Sequence, residues 1–220
     1  MFLKSPITTV FLVIGLLLSI LIFYNSYSVN YRIPGNNEGY EPVQPIAYSH
    51  RLHAGELGIP CLSCHFGAEK SRNAGIPPAN VCMNCHKFVT APFANVRAED
   101  ELAEKEKRKP QRMISPELKK IYASLALNDE LLPHPSLKPT PIAWNKVYNV
   151  PDFVYFDHRP HVNAGVQCQT CHGAVETMER VRQVGNLSMG WCVNCHRDVN
   201  KNGVNNKKVY ASTDCTTCHY

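Results

Sequence analysis

Cys61-Leu-Ser-Cys-His65 is the stretch whose reading decides this chain. The same Cys-X-X-Cys-His spacing returns at Cys82–His86, Cys168–His172, Cys192–His196 and Cys215–His219, and it consumes all ten cysteines, two to each motif. This pentapeptide is the attachment site of c-type haem. Its two thiols (Cys61 and Cys64, Cys82 and Cys85, Cys168 and Cys171, Cys192 and Cys195, Cys215 and Cys218) form thioethers with the porphyrin vinyl groups. The histidine that follows, His65, His86, His172, His196 or His219, lies under the iron as its proximal ligand. Other uses of cysteine pairs fit less well. Tetrahedral zinc does not call for a histidine directly after each pair. A thioredoxin-like dithiol needs one motif beside a βαβ pattern. A disulfide framework made of five identical short loops would constrain almost none of the chain. The expectation is five covalently bound haem c groups.

Five haems in 220 residues leave each little polypeptide to cover it. The porphyrins must then form much of the core, with short helices and irregular loops around them and little or no β-sheet. Sixteen prolines and twelve glycines suit such a loop-rich wrapping. The formal charge of +5 invites a nucleic-acid partner. The haem propionates remove that invitation: the oxidised, haem-loaded protein is about neutral and the reduced one carries about −5. No nucleic-acid partner is expected.

From Pro6 to Tyr31 the chain has no charge, and Ile7–Tyr24 reads ITTVFLVIGLLLSILIFY. As a helix, such a run spans about 27 Å, close to the hydrocarbon thickness of a bilayer. A cleaved signal peptide has a shorter apolar core, of about 7–15 residues, although Ser26-Tyr27-Ser28 would pass as a weak cleavage site. The segment reads as a retained transmembrane anchor. Gly15 and Ser19, four residues apart, would allow close helix packing. Lys4 is the one early positive charge and places the N-terminus on the cytoplasmic side. Haem attachment to c-type motifs occurs on the outer side of the energy-transducing membrane, which puts the rest of the chain in the periplasm of a bacterial inner membrane, behind a single pass.

The haem-bearing part contains a duplication. Tyr48-Ser-His-Arg-Leu-His53 precedes Cys61–His65, and Phe156-Asp-His-Arg-Pro-His161 precedes Cys168–His172. The second motif of each unit also matches, Val81-Cys-Met-Asn-Cys-His-Lys87 against Trp191-Cys-Val-Asn-Cys-His-Arg197. The organisation expected is an anchor over 1–29, a linker over 30–47, a first dihaem module over 48–95, a helical and proline-rich connector over 96–153, and a second dihaem module plus the fifth haem over 154–220.

The five histidines outside the motifs are His50, His53, His134, His158 and His161, and five sixth coordination positions await ligands. Within each His-X-X-His the side chains are three residues apart and share one helical face. Two porphyrins cannot lie parallel on one face at that separation, so His50 and His158 cap the haem just downstream while His53 and His161 reach a neighbouring one. The fifth distal ligand stays open between Met178 and His134, with Met189 and Met113 as further candidates. Methionine is the other common axial ligand and raises the potential, but each of these can equally pack as an apolar filler.

The connectors carry local signals. Arg97–Arg112 (RAEDELAEKEKRKPQR) reads as a solvated surface helix, acidic early and basic late. Ser115-Pro116-Glu117 reads as a helix start, with Leu118, Ile121, Tyr122 and Leu125 as an apolar face that packs on a haem by default or on a partner subunit. Leu132–Pro151 is rich in proline and is expected to run extended. Asn200–Lys208 reads as an exposed loop. With every iron closed by two ligands the protein has no substrate site of its own; it relays electrons and is not itself an enzyme.

The stretch Val154-Tyr-Phe-Asp-His-Arg-Pro-His161 with Cys168–His172, and Met189-Gly-Trp-Cys-Val-Asn-Cys-His-Arg197, resembles the pentahaem cytochrome subunit of bacterial alternative complex III. The His-X-X-His plus Cys-X-X-Cys-His arrangement by itself is shared more widely with class III multihaem cytochromes. The resemblance implies a mainly α fold with much irregular loop, built of class III-like duplicated dihaem modules behind one N-terminal transmembrane helix. It implies a complex that oxidises quinol and passes electrons to a periplasmic cytochrome c or a terminal oxidase. The partners it implies are an iron–sulfur subunit, a monohaem cytochrome c subunit and quinone-binding integral membrane subunits. Two alternatives remain: a small membrane-anchored tetrahaem-type quinol dehydrogenase feeding a periplasmic reductase, from which this chain departs in haem number, and a multihaem reductase with one open iron.

Overall fold

The apolar run near the N-terminus forms one helix, α1 (Pro6–Ser28). The computed structural model describes residues 6–28 and 37–219, with the backbone alone for 25–28. Lys4 and the first part of the linker, 30–36, lie outside the described residues. Proline suits the first helical position because the amide it lacks would have no intrahelical partner. The large apolar side chains of α1 are exposed all round, from Ile14 at 47% to Phe23 at 75%. A helix apolar on every face and buried against no protein is matched to a lipid environment. Pro6–Tyr24 is long and apolar enough to cross a bilayer. The Ser19 hydroxyl donates to the Leu16 carbonyl at 2.9 Å, which satisfies the one polar side chain in its middle.

Beyond α1 the chain is a series of short helical pieces joined by irregular segments. They are a π-helical turn (Arg51–Glu56), α2 (Cys61–Cys64), α3 (Ala79–His86), α4 (Phe93–Lys105), α5 (Pro116–Ser124), α6 (His158–Asn163), α7 (Cys168–His172), a 3-10 turn (Val175–Thr177), α8 (Met189–Asn202) and α9 (Cys215–Cys218). Among the described residues there is no strand, only isolated bridges such as Leu127 with Pro133. All five attachment motifs lie on helices. Each of those helices follows a residue in extended conformation: Pro60, Pro78, Gln167, Ser188 and Asp214. One helical turn puts the two cysteines of a motif on the same face.

The buried apolar side chains that meet one another gather around α5. Leu118, Ile121 and Tyr122 pack with Ile46, and Ala79, Cys82, Met83, Ile142 and Trp144 close around them. Ser115 caps the helix, its hydroxyl accepting from Leu118 N, and Pro116 follows in the first turn. The expected apolar face is therefore present, but it lies against Ile46 and α3, the helix of the second motif. Periodicity defines a buried face without saying what covers it. The Tyr122 hydroxyl donates to the His86 carbonyl at 2.7 Å, so α5 props the end of α3.

Two connector expectations are corrected. The charged helix runs over Phe93–Lys105 and does not reach Arg112. It starts early because Pro92 supplies the extended residue before it. It ends because Lys107 turns into the left-handed region, φ 53°, with Pro110 following. Arg108 then folds back and donates to both carboxylate oxygens of Glu99, at 2.5 and 3.2 Å. The stretch Asn200–Lys208 is likewise no plain loop, since α8 continues to Asn202. The Asn200 side-chain amide forms a two-way pair with Ala211, donating to its carbonyl at 2.8 Å and accepting its N–H at 2.7 Å. Gly203, at φ 77°, makes the turn that follows.

Leu137 to Val150 contains no helix or strand, and it is pinned where Asn145 meets the linker. Asn145 N donates to Gln44 Oε1 and Gln44 Nε2 to the Asn145 carbonyl, each at 2.9 Å. The linker is also tied to buried Gln183: Gly39 N donates to the Gln183 carbonyl at 2.7 Å, and Gln183 N to the Tyr40 carbonyl at 2.9 Å.

Candidate functional site

The two His-X-X-His turns bring the histidines expected as distal ligands to the motif histidines expected as proximal ones. His50 stands over His65, with ring centroids 6.5 Å apart and planes 4° from parallel. His158 stands over His172 at 6.4 Å and 10°. The second histidine of each turn reaches the other motif of its module: His53 faces His86 at 6.0 Å and 61°, and His161 faces His196 at 6.0 Å and 37°. A metal–imidazole nitrogen bond is about 2.0–2.1 Å, and about 1.1 Å separates that nitrogen from the ring centre. Two imidazoles on opposite sides of one iron thus have centroids about 6.3 Å apart. The four pairs match that span and fit bis-histidine haem.

The outer ring nitrogens settle which nitrogen faces inward. Nδ1 of His65 is hydrogen-bonded to the Gly75 carbonyl at 2.6 Å, that of His86 to Val89 at 2.8 Å and that of His196 to Ser212 at 2.5 Å. On the distal side Nδ1 meets a carbonyl from Ser49 for His53, from Asp157 for His161 and from Arg72 for His158, at 2.8, 2.8 and 2.9 Å. A carbonyl only accepts, so Nδ1 carries the proton and Nε2 keeps its lone pair for a metal. Burial, helped by neighbouring His65 and His53, pushes His50 down to about 4. Burial and then His158 and His65 do the same to His172. Both rings are held neutral, the form that ligates.

The aromatic residue at the head of each repeat unit has a role that spacing did not reveal. Tyr48 meets His50 edge-on at 4.8 Å and stacks on His53 at 4.4 Å. Phe156 does the same, at 4.9 Å to His158 and 4.8 Å to His161. Each ring fixes the splay of the two histidines. The recurrence of an aromatic two residues before both pairs was the signal. Tyr148 was not signalled at all: its ring lies 4.3 Å from that of His172, and its hydroxyl donates to the His172 carbonyl at 3.1 Å and accepts from Val184 N at 3.0 Å.

The fifth motif differs from the other four. The ring beside His219 is that of Phe153, at 5.8 Å. His134 is exposed on the connector, and its Nδ1 accepts from Ser136 N at 3.3 Å. That bond leaves the proton on Nε2, the reverse of the six carbonyl-bound histidines. Met178 lies against the first module, its carbonyl accepting from Arg51 N at 2.9 Å. The Met113 carbonyl accepts from the Thr90 hydroxyl at 2.6 Å, and Met189, the first residue of α8, is exposed.

No disulfide joins any of the ten cysteines, and Cys61, Cys85, Cys168 and Cys215 are exposed while the rest are half-buried. Among the described residues no histidine, cysteine or carboxylate cluster has the make-up of a simple metal-ion site. Cysteines unpaired with one another, each next to a histidine on a helical turn, suit thioether attachment. When bound, haem between two imidazoles supplies a one-electron redox centre.

Residues 154–220 match the family of cytochrome c7 and related cytochrome c. The chain is also similar to the multihaem cytochrome c subunit of menaquinone reductase from Nitratidesulfovibrio vulgaris (strain Hildenborough), at 24% identity over 196 residues, covering 80% of this chain and 76% of that one. The motifs, the imidazole pairs and this match together make the segment from Val154 onward a multihaem cytochrome c domain, of a kind that carries covalently bound haem c.

Proposed function

We propose that the chain is a membrane-anchored pentahaem cytochrome that relays electrons within a quinone-linked respiratory complex. The observation that carries this is the set of four imidazole pairs at 6.0–6.5 Å. Histidines that close an iron on both faces leave no place for a substrate, so the chain's own work is to hold, space and electrically tune redox centres. His50, His53, His158 and His161 are the distal ligands, His65, His86, His172, His196 and His219 the proximal ones, and the ten motif cysteines the covalent anchors. His219 is the proximal ligand of a fifth site, whose distal ligand comes from Met178 or His134, with Met189 and Met113 as further candidates.

The finer assignment follows the likeness of residues 154–197 to the pentahaem subunit of alternative complex III. The complex oxidises quinol and delivers electrons towards a periplasmic cytochrome c or oxidase, beside iron–sulfur, monohaem cytochrome and quinone-binding subunits. The helix α1 stays as the anchor, N-terminus in the cytoplasm, with residues 48–95 and 154–220 as periplasmic haem modules joined through 96–153. A second direction of flow has its own support. The relative named as a menaquinone reductase subunit suggests electrons passing towards quinone, and a relay of closed irons serves either direction.

The test is affinity purification of the tagged chain in mild detergent, followed by quinol addition. Co-purification with quinone-binding membrane subunits and reduction of the haems by quinol are expected. A chain that purifies alone, with haems inert to quinol and high-spin by electron paramagnetic resonance, would instead point to a reductase.

A further inference from the structure

The contacts between attachment motifs do not simply follow their order along the chain. Within each module the two-histidine turn makes neighbours of two motifs, the first with the second through His50 and His53, the third with the fourth through His158 and His161. What joins the modules is an exchange of loops. The loop after the first motif crosses to the second module, where the Arg72 carbonyl accepts from His158 N at 3.1 Å and from His158 Nδ1 at 2.9 Å. Arg72 Nε also donates to the Phe156 carbonyl at 3.0 Å. The loop after the third motif returns the contact: the Met178 carbonyl accepts from Arg51 N at 2.9 Å, and Glu179 accepts from Arg51 Nε at 2.6 Å. Each post-motif loop thus caps the other module's histidine turn, in a pseudo-two-fold arrangement with the first and third motifs at its centre.

The sulfur positions agree. Cys168 is within side-chain hydrogen-bond reach of Cys61 of the other module. Cys64 neighbours Cys82 and Cys85, Cys171 neighbours Cys195 and Cys192, and Cys192 neighbours Cys218. In the haem-loaded protein these sulfurs would be the porphyrin thioethers, so neighbouring motifs would hold neighbouring haems. The fifth motif is tied to the fourth by backbone as well. His196 Nδ1 meets the Ser212 carbonyl at 2.5 Å, the Ser212 hydroxyl meets that of Thr217 at 2.9 Å, and Tyr155 N donates to the Cys218 carbonyl at 2.8 Å.

We propose that the five haem sites form a single file whose order is second, first, third, fourth, fifth, so that the motifs at Cys82–His86 and Cys215–His219 are its two ends. This rests on the relay function proposed above and adds to it where electrons enter and leave. It makes the first and third motifs, carried by different modules, the obligatory crossing point.

A density map of the haem-loaded full chain in detergent, at a resolution that places the irons, tests the order. The iron on His65 is expected to lie between those on His86 and His172, with the iron on His219 beside the one on His196. A map in which the His86 iron adjoins the His172 iron overturns the order and leaves the relay intact. Fewer than five haems per chain by haemochrome assay of the same preparation overturns both.

Discussion

The imidazoles of His50 and His65 lie near-parallel on opposite sides of one gap, 6.5 Å between centroids and 4° between planes, and His158 repeats the relationship with His172 at 6.4 Å and 10°. Both copies of the duplicated unit reach the separation that an iron between two nitrogens requires. The second pair of each module keeps the distance but not the angle: 61° for His53 with His86 and 37° for His161 with His196. Near-parallel and rotated imidazoles split iron d-orbitals differently, so the first and third sites should resemble each other spectroscopically more than either resembles the second.

Removing a distal ligand tests the pairing site by site. In His53→Ala the iron held by His86 loses its opposite imidazole. The haem content should stay at the wild-type value, because no cysteine is touched, while one low-spin signal converts to high spin. An unchanged low-spin spectrum would exclude His53 as a ligand.

The module junction has no slack at Gly55. A Cβ built there would run into the carbonyl of Glu176, on the 3-10 turn after the third motif. Gly55→Ala should therefore cost about 1–3 kcal/mol, as forced overpacking does, and lower the melting temperature by about 2–4 °C per kcal/mol for a chain of this size. Thermal unfolding followed in the far ultraviolet checks this. An unchanged melting temperature would mean that the two modules do not close on each other there.

Glu99 offers a pH signature. The Arg108 guanidinium first, and Gln111 N second, hold its carboxyl at about 2 instead of the ordinary 4.5. A carboxylate depressed in the folded state adds stability that is fully present above pH 4.5 and is lost as pH falls towards 2. The melting-temperature advantage of wild type over Glu99→Gln should accordingly shrink across that window. An advantage that stays constant from pH 7 to pH 2 would rule the pair out as its source.

Tyr122 links the α5 core to the second attachment helix through its bond to the His86 carbonyl. Tyr122→Phe should lower stability by about 0.5–1.5 kcal/mol, the net value of one hydrogen bond, and affect the second site's spectrum before any other. A spectrum unchanged at every site would show that α5 does not position His86.

How much could be read in advance depended on whether the chemistry was local. Each motif histidine is adjacent to its second cysteine, and each His-X-X-His stands a similar short distance ahead of a motif, so the residues that the fold pairs at 6.0–6.5 Å were legible as patterns. The carbonyls that orient the rings were not. Gly75, Val89 and Ser212 are ordinary residues whose only contribution is a backbone oxygen, and no side-chain pattern marks one. Arg72 was invisible for a different reason, since its partner His158 lies 86 residues away. Ser115, Pro116 and Leu118 announced the start of α5, because capping is set by adjacent residues. The end of α4 was missed because Arg108 prefers Glu99 in a folded-back chain over another turn of helix.

The most direct measurement is the pyridine haemochrome ratio of the purified chain, taken with its electron paramagnetic resonance spectrum. Five haems per polypeptide, at least four of them low-spin, is the expected result. Fewer than five haems, or a spectrum dominated by high-spin iron, would contradict the central claim that the paired histidines close a row of covalently held irons.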